Sequence, residues 1–439
     1  MYRKLFKKLQ DWKEFPRRKP LLLQGVRQVG KTWLLKEFGR LEYSDVAYFN
    51  LDENVDLVSY FETTREPSRI LEQLSFLHGR RIVPGNTLII LDEIQESNSA
   101  LNSLKYFLEK TPEYHIAASG SYLGIALSRP SSFPVGKVNF MKLHPMTYEE
   151  FLIACDDTSL VEYLESVNFP STIPDIFFNP LMERLKQYLV IGGMPAVVSA
   201  WTKLKDMEEV NSIQSEIITS YERDFSKHSS EMNVAKVWQV WGSIPAQLAR
   251  ENKKFSYSTV KTGGRSRIFE DSIIWLANSG LIYKIQKLVK PGLPIRAYDD
   301  LSSFKVYLAD VGLLRKKAGL SGNTLLMGDQ LFTEFKGTLM ENFVLQELVL
   351  QVETAPRYWT SRASAELDFI IQQENNIFPI EVKSGKSVRS KSLRLYMDQY
   401  KCTLGLRFSQ QNFKMNGGIL NMPLFMAGQL SRILNEIKG

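Results

Sequence analysis

Cysteine is almost missing from this chain of 439 residues: only Cys155 and Cys402 occur, far apart and without metal-ligand spacing. That excludes a disulfide framework, argues against a structural zinc site and leads us to expect a reducing, cytoplasmic compartment. Histidine is nearly as scarce, and His78, His115, His144 and His228 are scattered as ordinary structural or surface residues. No apolar run approaches the ~20 residues of a membrane span, and the N-terminus lacks the apolar core of a secretory signal, so no membrane partner is expected. The remainder is 44% hydrophobic and 23% charged, the balance of an ordinary globular protein with room for two or three domains. A net charge of +7 and a pI near 9.0 permit nucleic-acid association without requiring it.

Against that plain background one stretch organises the rest. Leu21, Leu22 and Leu23 read as a short buried strand, followed by Gly25-Val26-Arg27-Gln28-Val29-Gly30-Lys31-Thr32 and a helix opening at Trp33. Strand, G-x-x-x-x-G-K-[ST] loop and helix are the context of a phosphate-binding loop. Gly25 and Gly30 admit backbone angles and close approaches that let successive N–H groups curl round an anion, and the opening helix adds its positive dipole end. ATP would lie along Gly25 to Trp33, with Lys31 on the β- and γ-phosphates and the Thr32 hydroxyl on Mg²⁺. A second element supports this. Thr87-Leu88-Ile89-Ile90-Leu91-Asp92-Glu93 reads as a strand buried on both faces with two carboxylates at its C-terminal end. Asp92 would hold Mg²⁺ and Glu93 would polarise the attacking water. No cationic group for the transition state can be placed from the sequence.

Residues 1–20 are strongly basic, with Leu5, Leu9 and Trp12 at helical spacing, and read as an amphipathic helix whose charge is a solvated face or a nucleic-acid patch. Ser44 to Asn50 is a second strand, and Asp52 and Glu53 after it either approach the nucleotide or cap the next helix. Tyr114 to Ser121 is a strand tipped with small polar residues. Ser119 and Ser121 there either report on the γ-phosphate or serve ordinary turn chemistry.

The loop, Leu-Asp-Glu-Ile-Gln and Ser-Gly-Ser together resemble the prokaryotic AAA-type ATPases of the GxRQxGKT class, which carry a C-terminal domain of unassigned function. The marks continue through His144 to Phe151, Gly192-Gly193-Met194-Pro195 and Tyr307 to Leu314, so the likeness spans essentially the whole chain. It implies an α/β P-loop NTPase with a parallel sheet, then helical and winged-helix regions. Relatives commonly carry Gly-Arg where this chain has Gly136-Lys137, which puts a phosphate-clamping arginine there in doubt. Arg129 precedes Pro130 in a Ser/Pro-rich loop expected to be mobile.

The expected domains are an ATPase domain over 1–150, a helical lid or linker over 151–232, a winged helix over 233–325 and a rear domain over 326–439. Residues 168–180 are expected as loop, and the break at Gly192-Gly193 is either a hinge or a plain turn. Arg223 either forms an intrahelical pair or serves a neighbouring subunit's nucleotide, which would require a homo-oligomer. In the winged helix, Ile268 to Ala277 reads as the third helix, with Ile268, Phe269, Ile273 and Leu276 on its inner side, and Leu281–Val289, the turn Pro291-Gly292 and the strand Ile295–Tyr298 form the wing. Lys261, Arg265, Arg267, Lys284, Lys287 and Lys290 suit DNA, whereas Glu270 and Asp271 repel it.

The last third places a long helix at 333–352 before Glu366-Leu367-Asp368 and Ile380-Glu381-Val382-Lys383 on a hairpin. That arrangement resembles the PD-(D/E)xK nuclease fold, with Leu367 in place of the leading proline. The resemblance implies Asp368 and Glu381 as metal ligands, Glu341 as a supporting carboxylate and Lys383 as the catalytic cation. Two functions follow: an ATPase coupled to a DNA-engaging, nuclease-like domain, or a nucleotide-dependent switch whose rear domain only docks a protein or nucleic acid.

Overall fold

Five short apolar runs build the front of the molecule. In the computed structural model, which describes residues 1–121, 136–169, 171–228, 234–327, 333–361, 365–385 and 389–438, they are β1 (Leu21–Gln24), β2 (Asp45–Asn50), β3 (Thr87–Asp92), β4 (His115–Gly120) and β5 (Asn139–Lys142). All neighbours pair parallel, in the order β2-β3-β4-β1-β5. Every residue of β3 and β4 is buried, which is why these strands read as continuous rather than alternating apolar runs. Helix α1 (Leu5–Glu14) buries Leu9 and Trp12, and α2 (Lys31–Glu42) follows the loop directly. Because β4 lies between β1 and β3, the Ser119 tip stands between the loop strand and the acidic strand. Arg129 and its Ser/Pro-rich surroundings lie outside the described residues.

The chain divides into two compact units, Met1–His144 with Asn278–Leu281, and Pro145–Ala277 with Ile282–Gly439. The second unit holds helices Tyr148–Ala154, Thr158–Ser166, Asp175–Ile191, Pro195–Leu204 and Met207–His228, then Val234–Leu248, Tyr257–Val260 and Ser266–Asn278. Its sheet has eight strands in the order β12-β13-β11-β10-β9-β8-β6-β7. These are β6 (Ile282–Leu288), β7 (Asp299–Leu308), β8 (Arg357–Thr360), β9 (Glu366–Gln373), β10 (Asn376–Val382), β11 (Gly405–Ser409), β12 (Lys414–Asn416) and β13 (Ile419–Pro423).

Three expectations change here. The segment 168–180 is not all loop, since Asp175 opens a helix after Pro174 and that helix runs through Pro180. Ile295–Tyr298 is a single tight helical turn, and β7 after it is the strand that pairs antiparallel with β6. The expected winged helix and rear domain also share one sheet, because β6 pairs parallel with β8 at Lys287 and Tyr358.

The break at Gly192-Gly193 is tied down by the other two family marks. Asp310 Oδ2 accepts the Gly193 N–H at 2.6 Å, and its Oδ1 accepts the Leu313 N–H at 2.9 Å, capping helix Val311–Lys317. Gly193 O accepts the Met146 N–H at 2.7 Å. A Cβ on Gly192, whose φ is +76°, would meet Asp310 Oδ1 at 2.2 Å, so only glycine fits. Burial pushes the Asp310 carboxyl up to about 6, against the backbone N–H groups that hold it down. Between pH 4 and 6 the folded chain keeps a proton that the unfolded chain has released, so Asp310's contribution to stability falls as pH rises through that window. Asp310→Ala leaves two buried N–H donors without an acceptor, and a loss of about 2–5 kcal/mol is expected. Denaturant melts at pH 7 and pH 5 check this, and the variant also loses the slope between them.

Candidate functional site

Two backbone facts shape the front loop. Gly30 adopts φ +92° as it hands over to α2, and a Cβ on Gly25 would come within 2.5 Å of the Leu143 carbonyl oxygen. Both glycines are therefore required, one by conformation and one by proximity. Lys31 is buried and its Nζ folds back into the loop, donating to Gly25 O at 2.9 Å, Val26 O at 3.1 Å and Ser121 Oγ at 2.9 Å. Desolvation brings its ammonium down to about 8, against the pull of Glu93 and Asp92. Arg27 and Gln28 are exposed, Val29 is buried, and Trp33 is 44% exposed beside the loop.

The acidic strand tip meets the loop. Asp92 Oδ2 accepts the Thr32 hydroxyl at 2.6 Å and the Tyr48 hydroxyl at 3.1 Å, while Oδ1 accepts Ser119 Oγ and, at 3.1 Å, the Glu93 N–H. Glu93 sits at φ +50°, a conformation unusual for its residue type, and Gln95 Nε2 donates to its Oε2 at 2.6 Å. The loop, Thr32, Asp92, Ser119 and Ser121 are thus gathered at one edge of the sheet. Tyr48 and Gln95 join them without having been singled out. So does Arg3, 4% exposed, whose Nη1 donates to Val29 O at 2.9 Å and whose Nη2 donates to His144 O. Tyr48 had a faint signal as a polar group near the end of β2; Arg3 had none.

Other expected residues lie elsewhere. Lys137 pairs with Glu109 at 3.0 Å just ahead of β5, at the edge of the parallel sheet opposite the loop. The next helix, Val55–Thr63, is capped by Asn54, which accepts the Leu57 N–H at 2.9 Å, rather than by Asp52 or Glu53. Arg223 is exposed; its neighbour Glu222 accepts Trp241 Nε1 at 2.9 Å and faces Lys317 at 3.7 Å. Lys261, Arg265, Arg267, Glu270 and Asp271 are all exposed, and Lys284 lies over the Phe304 ring.

In the second unit, Glu341, Asp368 and Glu381 are brought onto neighbouring elements, each already engaged. Glu341 Oε1 receives Lys253 Nζ and its Oε2 the Tyr307 hydroxyl at 3.1 Å. Asp368 Oδ2 accepts the Val382 N–H at 2.7 Å, Glu366 Oε1 receives Lys305 Nζ, and Glu381 Oε1 faces Lys383 Nζ at 2.8 Å. Burial, reinforced by Glu341, pushes Asp368 up to about 7, and Lys305 and Lys253 oppose the rise. Among the described residues, no three His, Cys, Asp or Glu side chains are grouped to hold a metal ion. Lys253, Tyr307 and Lys305 were not anticipated; for Lys305 and Tyr307 the one clue is their shared face in the β7 alternation.

The loop, the acidic strand and the parallel sheet together form a P-loop arrangement at the front of the chain. Residues 17–152 match the family described as "AAA domain", while 182–324 and 336–425 match two described as domains of unknown function, DUF8612 and DUF4143. The chain is 26% identical over 204 residues to uncharacterized protein MJ1637 of Methanocaldococcus jannaschii, a match covering 44% of this chain and 41% of that protein. It therefore spans about two fifths of that relative's length. Among solved structures, the Walker-type ATPase PABY2304 of Pyrococcus abyssi is 15% identical with a TM-score of 0.43, covering 71% of this chain and 94% of the other. The Thermotoga maritima RuvB Holliday junction branch migration motor is 16% identical with a TM-score of 0.31, covering 63% and 87%. Among the described residues, no helix is long and apolar enough to cross a membrane.

Phosphate charge at the loop favours a protonated Lys31. At pH 8.5, ATP binding is expected to take up most of a proton, with uptake shrinking toward pH 7.5 and affinity falling as pH rises above 8. Calorimetry in two buffers of different ionisation enthalpy measures this, and Lys31→Arg should show no uptake.

Proposed function

We propose that the chain is an ATP-dependent switch: its front domain binds and hydrolyses Mg-ATP, and its second unit docks a partner without cutting it. The observation that carries the first half is the Asp92 carboxylate, bonded to Thr32 of the loop while Lys31 is held inside that loop. The residues suit magnesium. Thr32 and Asp92 offer hard oxygens, joined to each other at 2.6 Å, that would hold the ion, Asp92 through the ion's waters. Magnesium, when bound, neutralises charge developing on the β- and γ-phosphates. Lys31 places its ammonium against the same oxygens, and the loop N–H groups from Gly25 to Thr32 orient them. Glu93, held by Gln95, orients the attacking water, and Ser119 and Ser121 link the third strand tip to Asp92 and Lys31. Lys31→Ala is expected to lose nucleotide binding. Glu93→Gln should keep it while turnover drops about 10²-fold or more, as read by fluorescent-nucleotide titration beside phosphate release. Undiminished turnover in Lys31→Ala would refute the assignment.

For the second unit, helix Thr333–Leu348, the antiparallel run β8-β9-β10, helix Lys391–Tyr400 and parallel β11 favour a nuclease-like fold. The exposed Lys261, Arg265 and Arg267 favour DNA as the docked partner, with cytoplasmic residence and self-association completing the reading. One observation favours a second reading, metal-dependent DNA cleavage through Asp368, Glu381 and Lys383: Glu381 Oε2 is buried without a hydrogen-bond partner. Incubation of supercoiled DNA with Mg²⁺ or Mn²⁺ separates the two. No nicking is expected; nicking that disappears in Asp368→Ala and Lys383→Ala would establish the nuclease.

A further inference from the structure

The buried carboxylates of the second unit come with cations of their own. Glu341 enters from helix Thr333–Leu348, and Glu366 and Asp368 share one face of β9. Into this group come Lys253, from the stretch before Tyr257–Val260, and Lys305, from β7, whose side chain is 0% exposed. A third lysine, Lys383, stands on Glu381. Three ammonium groups therefore face four carboxylates, and each ammonium is paired with a carboxylate oxygen. Both Glu341 oxygens are taken, and Asp368 spends one on the Val382 N–H.

A divalent ion needs several oxygen ligands converging on one point, with their negative charge uncompensated. The front site meets that need differently: Asp92 is satisfied by the hydroxyls of Thr32, Tyr48 and Ser119, neutral donors that leave its charge available. In the second unit most of that charge is already offset by lysines, and Lys253 and Lys305, whose side chains are 14% and 0% exposed, cannot leave their carboxylates without being stranded in a buried place. The orphan Oε2 of Glu381 is one oxygen, too few for a site.

We propose that Lys253 and Lys305 supply the positive charge that a divalent ion supplies in an active nuclease of this fold, so that Asp368, Glu341 and Glu381 bind no metal. This rests on the nuclease-like reading of the fold and deepens it: the second unit keeps the carboxylate pattern with lysines in the cation's role. The same ion pairs tie the Lys253 segment to helix Thr333–Leu348 and β7 to β9 within one unit. Lys253 is the removable member, because its departure leaves Glu341 still bonded to Tyr307.

The test is Mn²⁺ titration of the full-length chain without nucleotide or DNA, followed by the paramagnetic resonance of the free ion. Wild type, Asp368→Asn and Glu381→Gln are expected to bind the same number of ions. Lys253→Met is expected to bind one more per chain, and Asp368→Asn on top of it to remove that ion. Loss of a bound ion in Asp368→Asn or Glu381→Gln alone would overturn the proposal, as would a folded Lys253→Met that gains none. Should Lys253→Met fail to fold, wild type against Glu381→Gln decides the matter. Because neither ATP turnover nor cleavage is read, a failure here leaves the ATPase reading standing.

Discussion

One carboxylate joins the ends of the front sheet. Asp92 closes β3, and its two oxygens collect a hydroxyl from the loop helix, one from the end of β4 and one from β2, so that three otherwise separate elements meet on a single charged group. Networks of this kind are cooperative, since each hydroxyl that donates to the carboxylate polarises the others, and the low surrounding dielectric strengthens them all. The arrangement depends on the strand order. Only with β4 between β1 and β3 does Ser119 lie beside Asp92 while Ser121 lies within reach of Lys31. The loop depends in turn on Gly25, whose missing side chain lets β1 run close to the Leu143 carbonyl, and on Arg3, which holds Val29 from behind.

The front half was legible because parallel strands buried on both faces leave uninterrupted apolar runs, and because phosphate binding demands glycines at fixed offsets. Arg3 was not legible, and Tyr48 only faintly. Each acts on a partner far along the chain, and neither residue type at its position signals that partner. The wing failed for a different reason. β7 begins with Asp299-Asp300-Leu301-Ser302-Ser303, polar enough to pass for loop, and pairs with β6 across an irregularity after Gln286. Nor does a hairpin's own pattern say which sheet it will join. The pairing of β6 with β8 rests on a register between residues distant in sequence, and it makes the segment expected as a winged helix continuous with the rear strands.

The glycine pair at 192–193 shows how the same residues can support opposite readings until their partners are known. A hinge requires backbone groups with few tertiary ties. Here the Gly193 N–H is held by Asp310 and its carbonyl by Met146, and Tyr188 donates its hydroxyl to Met146 O at 2.5 Å. A Cβ on Gly312 would lie 2.3 Å from Ile191 O, so the Asp310 turn packs directly against the same corner. The three sequence marks that looked unrelated along the chain are one buried joint, and its glycines serve close approach rather than motion.

Charge placement is what separates the two acidic groups in this molecule. Burying a carboxylate is costly unless it is paired, and there are two ways to pair it. Hydroxyl donors satisfy the lone pairs and leave the full negative charge in place, which is what a site that must receive a cation requires. Ammonium donors satisfy the lone pairs and cancel the charge, which stabilises the carboxylate at the expense of its affinity for any further cation. Asp92 has the first environment. Glu341, Glu366 and Glu381 have the second, and Asp368 among them is driven toward the neutral acid. The motif letters at both ends of the chain resemble those of metal sites, but the donors differ: hydroxyls at Asp92, and at the rear lysines such as Lys253 and Lys305, which lie outside either motif.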